Sequence, residues 1–324
     1  MTVTRSVSAH IERWPVAGAF IIARGAKTYV DVIVAEVGDG THVGRGEATP
    51  IYYEGESAEQ CVRDIAALGH GIDRVTLQNI LPHGAARNAL DCALWDIECQ
   101  QAGQPLWQIA GLVRPTPLIT AMTVSLGSPD TMEADARALA TRTPLLKLKL
   151  AGDGDLERVA AVRRGAPSAR LIVDANEAWT GRDIVREAEA LLPFGVELIE
   201  QPVKAGMDHL LDGVRSPIPL GADESCHDRT DLAHCIGRYD AINIKLDKTG
   251  GLTEALALKA EARALGFDIM VGCMLGTSLA IAPAFLIAHD AKWVDLDGAL
   301  LLANDRERGA ILKDGLLHPP LVLT

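Results

Sequence analysis

From about residue 116 onward, the chain repeats one pattern in which a short apolar run is followed by a helical segment. Segments such as DLERVAAVRR and LTEALALKAEARALG carry apolar residues three and four positions apart, which is the period of an α-helix. Strands that alternate with helices favour a parallel sheet, because each parallel connection must cross back over the sheet. The apolar runs are LITAMTVSL, LLKLKL, RLIVDAN, ELIEQP, IPLGADES, AINIKLDK, DIMVGC and KWVDLDG. Eight such units predict an α/β fold whose sheet closes into a (β/α)8 TIM-type barrel over residues 116–307.

Residues 1–115 have a different pattern and predict a separate α+β domain. Three strand-like stretches come first, in VSAHIERW, FIIARGAKTYVDVIVAEVGDG and HVGRGEA, with turn residues between them. Helical patterns follow at about 56–69 and at 85–102. The tail, residues 308–324, is strand-like on both sides of a KDG turn, and we expect it to fold back on this first domain.

Composition and charge exclude several classes of partner. The chain has 324 residues and a formal net charge of −12, which offers no basic surface to nucleic acid or to an anionic membrane. No run of about twenty apolar residues predicts a membrane span, and the first residues lack the apolar core of a signal peptide. The six cysteines form no CxxC pair, so we interpret them as reduced thiols of a cytoplasmic protein. We expect a small-molecule substrate, and a homo-oligomer stays open.

Three acidic residues close three consecutive apolar runs. They are Asp174 in VDAN, Glu200 in IEQP and Asp223 in GADES. Because the carboxyl ends of barrel strands share one rim, the three carboxylates are expected to lie side by side and to need a cation. A set of carboxylate oxygens favours magnesium. The alternative is that each acid is a solvated loop residue or a helix cap.

Two lysines stand at opposite positions of the predicted ring. Lys149 closes the second run and Lys245 the sixth, and in a ring of eight strands these positions face each other. Bases on opposite sides of one carbon can remove a proton from one face and deliver one to the other, as a racemase or epimerase does. Lys147 precedes Lys149 on the same face, unless KxK marks a solvated edge strand. We interpret Lys248 and Asp247 as partners in local loop salt bridges.

The last apolar run, WVDLDG, carries Asp295 and Asp297 two positions apart. On a strand, residues two apart point to the same side, where two carboxylates repel each other unless a cation lies between them. The pattern therefore predicts either a cationic ligand or a lysine or arginine of the barrel as their partner.

The motifs KLKL, VDAN, IEQP, GADES and NIKLDKTGG, in this order, resemble those of the enolase superfamily, in particular its muconate-lactonising subgroup. The resemblance covers essentially the whole chain, including GRGEATP and the helix ARNALDCALWDIECQQAGQPL. It implies that the α+β domain caps the barrel and that the last barrel unit is modified, as in (β/α)7β. Within the subgroup, DLD resembles the DxD signature of dipeptide epimerases.

Functional assignments follow from the resemblance. It implies that Asp174, Glu200 and Asp223 bind one Mg²⁺ per subunit and that Lys149 and Lys245 are the acid/base pair of a 1,1-proton transfer through a magnesium-stabilised enolate. The remaining implied roles concern the substrate: Lys147 for its carboxylate and enolate, Asp295 and Asp297 for its α-ammonium group, Thr123 for the dipeptide, and Arg24 for a glutamate side chain. The implied substrate is Ala-Glu with L- or D-glutamate, and the implied setting is the recycling of murein peptides.

Three alternatives stay open. A dipeptide with another second residue would change only the partner of Arg24. A synthase or cycloisomerase of the same subgroup would use the same metal and lysines, but Asp295 and Asp297 would repel an anionic substrate that lacks an amine. Gly276 also weighs against those activities, because many relatives in the subgroup carry a glutamate there. The third alternative is a non-catalytic barrel that binds metal, and nothing in the sequence favours it.

Overall fold

The structure is a computed structural model that describes residues 5–22 and 25–321. Arg24, to which the resemblance assigns a glutamate side chain as partner, lies outside the described residues. Within the described part of the chain, no helix is both long enough and apolar enough to cross a lipid bilayer.

The N-terminal part forms an antiparallel sheet packed against helices. Its strands are β1 (Ser6–Ile22), β2 (Gly25–Gly38) and β3 (Val43–Ala48). The middle strand, β2, pairs with both neighbours. The helices that follow are α1 (Ala58–Ala67), α2 (Arg74–Ile80), α3 (Ala85–Ala102) and α4 (Leu106–Ile109). Ile33, Ala35 and Val37 alternate along β2 and form a core with residues of α1 and α3, as the two-residue period of a strand requires.

Two glycines of β3 allow α3 to lie directly on the strand. A Cβ atom built on Gly44 would lie 2.2 Å from the carbonyl oxygen of Ala93, and one built on Gly46 would lie 2.2 Å from that of Ala89. Both contacts are with main-chain atoms, which cannot move aside as a flexible side chain can. The GRGEA stretch therefore owes its glycines to close packing between helix and strand.

The central part of the chain forms a ring of eight parallel strands. In chain order they are β4 (Met122–Val124), β5 (Leu145–Lys149), β6 (Arg170–Asp174), β7 (Val196–Glu200), β8 (Leu220–Ala222), β9 (Ala241–Ile244), β10 (Asp268–Gly272) and β11 (Trp293–Asp295). Each strand pairs with the next one along the chain. The N–H of Ala121 donates a 2.7 Å hydrogen bond to the carbonyl oxygen of Val294, which joins the first strand segment to the last. The predicted barrel fold is confirmed.

Helices connect most of the strands. They are α5 (Pro129–Leu139), α6 (Asp155–Gly165), α7 (Ile184–Leu191), α8 (Leu232–Cys235), α9 (Leu246–Thr249), α10 (Leu252–Ala264) and α11 (Ser278–Ala288). Between β7 and β8 the connection holds a short 3-10 turn, Asp208–Leu211. Another 3-10 turn, Gly298–Leu301, follows β11, and no α-helix follows it up to residue 321. The last unit is therefore modified, as (β/α)7β requires.

Strand β5 shows how the barrel sorts its side chains. Leu146 and Leu148 belong to the apolar core shared by strands and outer helices, whereas Leu145 belongs to a small cluster in the barrel interior. Lys147 and Lys149 share the face of Leu145, because residues two apart on a strand point the same way, and both are buried. The alternative of a solvated edge strand for KLKL is therefore wrong.

The C-terminal tail forms a hairpin of β12 (Ile311–Lys313) and β13 (Leu316–His318). Leu317 and Leu118 exchange two main-chain hydrogen bonds, of 3.0 and 2.7 Å, just before β4 begins. Leu317 is fully buried in the main core of the barrel. The hairpin thus packs on the start of the barrel segment, and the division into domains at residues 115 and 307 stays a prediction.

Candidate active site

The carboxyl ends of the barrel strands bring the sequence-predicted residues to one rim. In the sheet register, Lys149 of β5 lies beside Asp174 of β6, and Asp174 lies beside Glu200 of β7. Asp223 follows β8 directly, and Lys245 follows β9 directly. All five are buried. The strand ends therefore gather these five charges in one low-dielectric region, as the C-terminal face of a barrel does.

Asp174, Glu200 and Asp223 offer carboxylate oxygens suited to a divalent cation. The ammonium of Lys147 lies among them, with Nζ 2.6 Å from Glu200 Oε2 and 3.4 Å from Asp174 Oδ2. In this arrangement, no three acidic, histidine or cysteine side chains among the described residues enclose a metal-sized position. Glu200 Oε2 and Asp223 Oδ1 are nevertheless buried and accept no well-aligned hydrogen bond. Three adjacent carboxylates with acceptor capacity to spare fit a hard cation such as Mg²⁺.

The pKa values of these acids are pushed apart by their surroundings. Burial, reinforced by the charge of Asp174, raises the pKa of Glu200 to about 8. Burial also acts to raise the pKa of Asp174, but the ammonium groups of Lys149 and Lys147 outweigh it and hold that pKa at about 2. Lys245 and Lys248 likewise hold the pKa of Asp223 well below its usual range. The repulsion between the adjacent carboxylates is thus partly offset by the positive charges of the neighbouring lysines.

The two lysines predicted to oppose each other each pair with one of these acids. Lys149 Nζ lies 2.6 Å from Asp174 Oδ2, and Lys245 Nζ lies 2.5 Å from Asp223 Oδ2. Their strands are the second and the sixth of the ring, so the two amines approach the barrel mouth from opposite sides. The Asp223 carboxylate, against the opposing effect of burial, raises the pKa of Lys245 well above its usual value.

Asp295 and Asp297 lie on the rim beside the first strand. Asp295 ends β11, and its Oδ2 lies 2.9 Å from Lys147 Nζ, so one carboxylate does have a barrel lysine as partner. Asp297 lies beyond the strand, at the start of the 3-10 turn, and its Oδ2 accepts a 2.7 Å hydrogen bond from the N–H of Thr123. Burial and the charge of Asp295 raise the pKa of Asp297 to about 7. Asp295 thus has an ion-pair partner in Lys147, whereas Asp297 has none among the described residues.

A cleft of about 690 Å³ opens at this rim, and neither Asp174 nor Glu200 is among its lining residues. Among its lining residues are seven predicted from the sequence: Thr123, Lys147, Lys149, Asp223, Lys245, Asp295 and Asp297. The N-terminal part also contributes to the walls, through Phe20, Lys27, Thr49, Tyr52 and Tyr53. The cleft is therefore shared between the barrel mouth and the N-terminal sheet, as expected of a capping domain.

Comparison with known families identifies the architecture. The model for the mandelate racemase/muconate lactonizing enzyme N-terminal domain matches residues 4–111, and the enolase C-terminal domain-like model matches residues 131–320. The chain belongs to the enolase superfamily. Within the superfamily, it is a member of the mandelate racemase/muconate lactonizing enzyme group, as the sequence motifs implied.

Similar members of the superfamily include proteins named as epimerases. The chain is 44% identical to the L-Ala-D/L-Glu epimerase of Escherichia coli over 97% of its own length and 99% of that protein. An Agrobacterium tumefaciens enolase family member, solved with sodium and L-Ala-L-Glu, is 48% identical, with a TM-score of 0.93 over 97% of this chain and 98% of that one. A dipeptide epimerase of Enterococcus faecalis, solved with Mg and L-Leu-L-Tyr, is 30% identical, with a TM-score of 0.89 over 98% and 97%.

Lys27 is a cleft residue of this enolase-superfamily member that the sequence analysis missed. Its Nζ lies 4.1 Å from the centre of the Tyr52 ring, and burial lowers its pKa. It forms no ion pair with any other residue that the structure describes. The signal was present in the sequence, since FIIARGAKT carries two cations, Arg24 and Lys27, and only Arg24 was assigned a role.

Lys248 and Asp247 correct another expectation, because they do not form local loop salt bridges. Lys248 is fully buried and donates to main-chain oxygens, and its ion pair is with the distant Asp223. Asp247 accepts hydrogen bonds from the N–H of Thr49 and the amide of Asn88, both in the N-terminal part. Asp247 and Lys248 therefore each bind a segment that is distant in sequence, which residue spacing alone does not reveal.

Gly276 lies against the side chain of Glu47. A Cβ atom built there would lie 3.2 Å from Glu47 Oε1, which is tighter than ordinary contacts. Glu47 belongs to β3 and accepts a 2.6 Å hydrogen bond from the N–H of Thr277. The Glu47 carboxylate from the N-terminal part therefore lies next to position 276, where a glutamate side chain would meet a like charge.

Proposed function

We propose that this chain is a magnesium-dependent dipeptide epimerase that inverts the α-carbon of the C-terminal residue, with L-Ala-D/L-Glu as its substrate. The observation that carries the proposal is the placement of Lys149 and Lys245 on opposite sides of one cleft, each in an ion pair with a strand-end carboxylate. The epimerases among the relatives support the same reaction class. Inversion at one carbon needs proton exchange on both faces, and this arrangement supplies a group for each.

In this proposal Asp174, Glu200 and Asp223 hold the magnesium ion. The donor set consists of carboxylate oxygens on three adjacent strands, which suits this cation. When bound, magnesium supplies positive charge next to the substrate carboxylate and so stabilises the extra negative charge that develops there. The Mg found in a structure of a related dipeptide epimerase supports this choice of metal.

Proton transfer is assigned to the two opposed lysines. One lysine, as a neutral amine, takes the α-proton from its face, and the other, as an ammonium, returns a proton to the opposite face. The reverse substrate uses the same groups in the opposite protonation states. Lys147, fully buried beside both Asp174 and Asp295, stays charged because these carboxylates raise its pKa well above its usual value. Its fixed charge therefore stabilises the carboxylate and enolate of the substrate.

Recognition of the substrate amine is assigned to Asp295 and Asp297. Two carboxylates share one nearby lysine, so an α-ammonium group would supply the positive charge that this corner of the cleft lacks. The main chain at Thr123 holds Asp297 in place. An acid that lacks an amine brings no such charge, and this weighs against a synthase or cycloisomerase.

A glutamate side chain is supported by the positive charge on the capping side of the cleft. Lys27 lines the cleft and has no acidic partner among the described residues, and the sequence carries a second cation, Arg24, three positions earlier. A second candidate is a dipeptide with an apolar second residue, which is favoured by Phe20, Leu275 and Leu301 in the same wall. The two candidates differ in the charge that they place beside Lys27.

The test is proton NMR of the purified protein with Mg²⁺ and L-Ala-L-Glu in heavy water. We expect the glutamate α-proton signal to disappear while signals of L-Ala-D-Glu grow. Exchange without formation of the second diastereomer would exclude a two-base epimerase. Epimerisation of L-Ala-L-Leu with none of L-Ala-L-Glu would assign the enzyme to apolar dipeptides instead.

The proposed setting is the recycling of murein peptides in the cytoplasm, with a small dipeptide as partner and neither nucleic acid nor membrane involved. All six cysteines are free thiols, and five of them are buried, which supports a reducing compartment. The net charge of −12 supports a small-molecule enzyme over a nucleic-acid-binding protein. A homo-oligomer is compatible with this setting, and gel filtration with light scattering measures the assembly directly.

A further inference from the structure

The parallel pairing between β8 and β9 stops where the active-site residues begin. The last recorded pair is Ala222 with Ile242. In the same register the next pair would be Asp223 with Asn243, two residues before Lys245. Main-chain carbonyl groups that lose their strand partner inside a protein need another donor.

The ammonium group of Lys248 supplies that donor. Its Nζ donates to the carbonyl oxygens of both Asp223 and Asn243, the two residues that the register would place opposite each other. It also donates to the carbonyl oxygen of Cys226, at 2.9 Å, and lies 2.8 Å from Asp223 Oδ1. The side chain is fully buried. One ammonium therefore joins the main chain at the ends of β8 and β9 and also contacts the Asp223 side chain.

Lys248 and Lys245 hold the same carboxylate but are suited to different tasks. Lys245 contacts Oδ2 of Asp223 and lines the cleft, where a substrate can reach it. Lys248 contacts Oδ1 and is enclosed by three carbonyl acceptors, which together use all three N–H groups of an ammonium. Lys248 therefore has no N–H group left for a substrate, and its ammonium holds main-chain atoms instead.

We propose that Lys248 is a positioning residue whose ammonium clamps the ends of β8 and β9 and thereby fixes Asp223 and Lys245. The inference rests on the proposed function, which assigns Asp223 to the metal and Lys245 to proton transfer. The clamp serves one side of the cleft, since Lys149 stands across the ring in its own ion pair with Asp174. Loss of the clamp therefore weakens metal binding and impairs proton exchange on the Lys245 face.

The test compares Lys248→Met with the matched control Lys259→Met. Methionine keeps most of the length of the side chain and removes the charge and the donors. Lys259 is also a largely buried lysine that donates to a carbonyl group, that of Ile287 at 2.6 Å, and pairs with Asp290, but it connects the outer helices α10 and α11. Calorimetry without substrate measures the dissociation constant of Mg²⁺. Exchange of the α-proton in heavy water at saturating Mg²⁺, started from each diastereomer, measures the two faces separately, and Lys245→Ala identifies which diastereomer reports the Lys245 face.

We expect Lys248→Met to weaken Mg²⁺ binding by about tenfold or more and to slow exchange on the Lys245 face by about 100-fold, since small misplacements of a reacting group have effects of that size. Exchange on the Lys149 face should fall far less, and Lys259→Met should change neither measurement more than about twofold. Equal losses on both faces, or effects no larger than those of the control, would overturn the proposal.

If Lys248→Met does not fold, as judged by circular dichroism, Lys248→Arg decides the same comparison. The guanidinium group keeps the charge and donors but has a wider head, so we expect the same preference for the Lys245 face with a smaller loss. Wild-type protein that exchanges no α-proton on any dipeptide would instead reject the proposed function, and this outcome is distinct from an equal loss on both faces.

Discussion

The carboxylate of Asp297 accepts a 2.7 Å hydrogen bond from the main-chain N–H of Thr123, across the seam where the first and last strand segments of the barrel meet. The sequence interpretation gave Thr123 a contact with the dipeptide, whereas this bond gives its main chain a different task. A main-chain donor is present whatever the side chain at position 123 is, and it fixes the carboxylate before any ligand arrives. Asp297 is therefore preorganised, and its charge state is the variable that affects binding.

The pH dependence of substrate binding should follow Asp297. Its pKa of about 7 lies above the ordinary value of 3.8, because burial and Asp295 disfavour the charged form. Below pH 7 the carboxyl is neutral and attracts an ammonium group poorly, so KM should fall as the pH rises through 7. The α-amino group of a peptide loses its charge near pH ~8, so the gain should end there. Steady-state kinetics from pH 6 to well above pH 8 measure both limbs.

Asp297→Asn is the matching variant, because the amide oxygen can still accept from Thr123 while the charge is lost. We expect KM for the dipeptide to rise by about 30-fold, as for the loss of ~2 kcal/mol from a buried charge pair, and its change between pH 6 and pH 8 to disappear. A variant whose KM keeps the wild-type slope would assign the titration to another group.

Removal of either opposed lysine should leave exchange on one face. Lys149→Ala and Lys245→Ala should each lose epimerisation by about 10²- to 10⁴-fold, because a positioned acid or base contributes that much. Each variant should still exchange the α-proton of one diastereomer in heavy water, and the two variants should favour opposite diastereomers. If both variants favour the same diastereomer, a single lysine serves both faces.

The charge of Lys27 should select the second residue of the dipeptide. Lys27→Met removes a half-buried cation from the cleft wall and leaves an apolar side chain beside Tyr52. We expect kcat/KM for L-Ala-L-Glu to fall by about tenfold, the equivalent of ~1.4 kcal/mol, while kcat/KM for L-Ala-L-Leu does not fall. Equal losses on both substrates would mean that Lys27 supports the shape of the cleft and that Arg24 alone carries the selectivity.

The contact between α3 and β3 should be sensitive to a single methyl group. Gly46→Ala would place its Cβ 2.2 Å from the carbonyl oxygen of Ala89, so strand and helix must separate. We expect a loss of ~1–3 kcal/mol in the free energy of unfolding, as for other overpacked sites. Gly127→Ala is the control, because its Cβ would meet its nearest neighbour at 3.5 Å, an ordinary contact. Urea unfolding of the two variants measures the difference, and equal midpoints would show that the strand adjusts without cost.

The charged residues at the strand ends could be predicted from the sequence, because the side-chain alternation of a strand and the order of strands in a barrel together fix where each strand end lies. Once KLKL, VDAN and IEQP are placed as consecutive parallel strands, the side chains of Lys149, Asp174 and Glu200 must share one edge. The burial of Lys147 follows from the leucines on both faces of its strand, at positions 145, 146, 148 and 150. These inferences needed no knowledge of distances.

The residues that sequence reasoning missed depend on contacts between distant segments. Lys248 is three residues from Lys245, yet its role comes from carbonyl groups of another strand and another loop. Lys27 is a hairpin residue like many others until the N-terminal sheet is placed over the barrel mouth. Asp297 was predicted from strand alternation, but it lies beyond β11 at the start of a 3-10 turn, so strand geometry does not explain its position.

The opposed lysines have a consequence for direction. A cleft with an exchangeable proton on each side presents nearly the same surroundings to either hand of the inverted carbon, so neither diastereomer is intrinsically the product. A catalyst also cannot shift an equilibrium, and two diastereomers of one dipeptide differ little in free energy. In a cell, the net direction of the reaction is therefore set by whichever other reaction consumes one of the two diastereomers. The protein itself interconverts them in both directions.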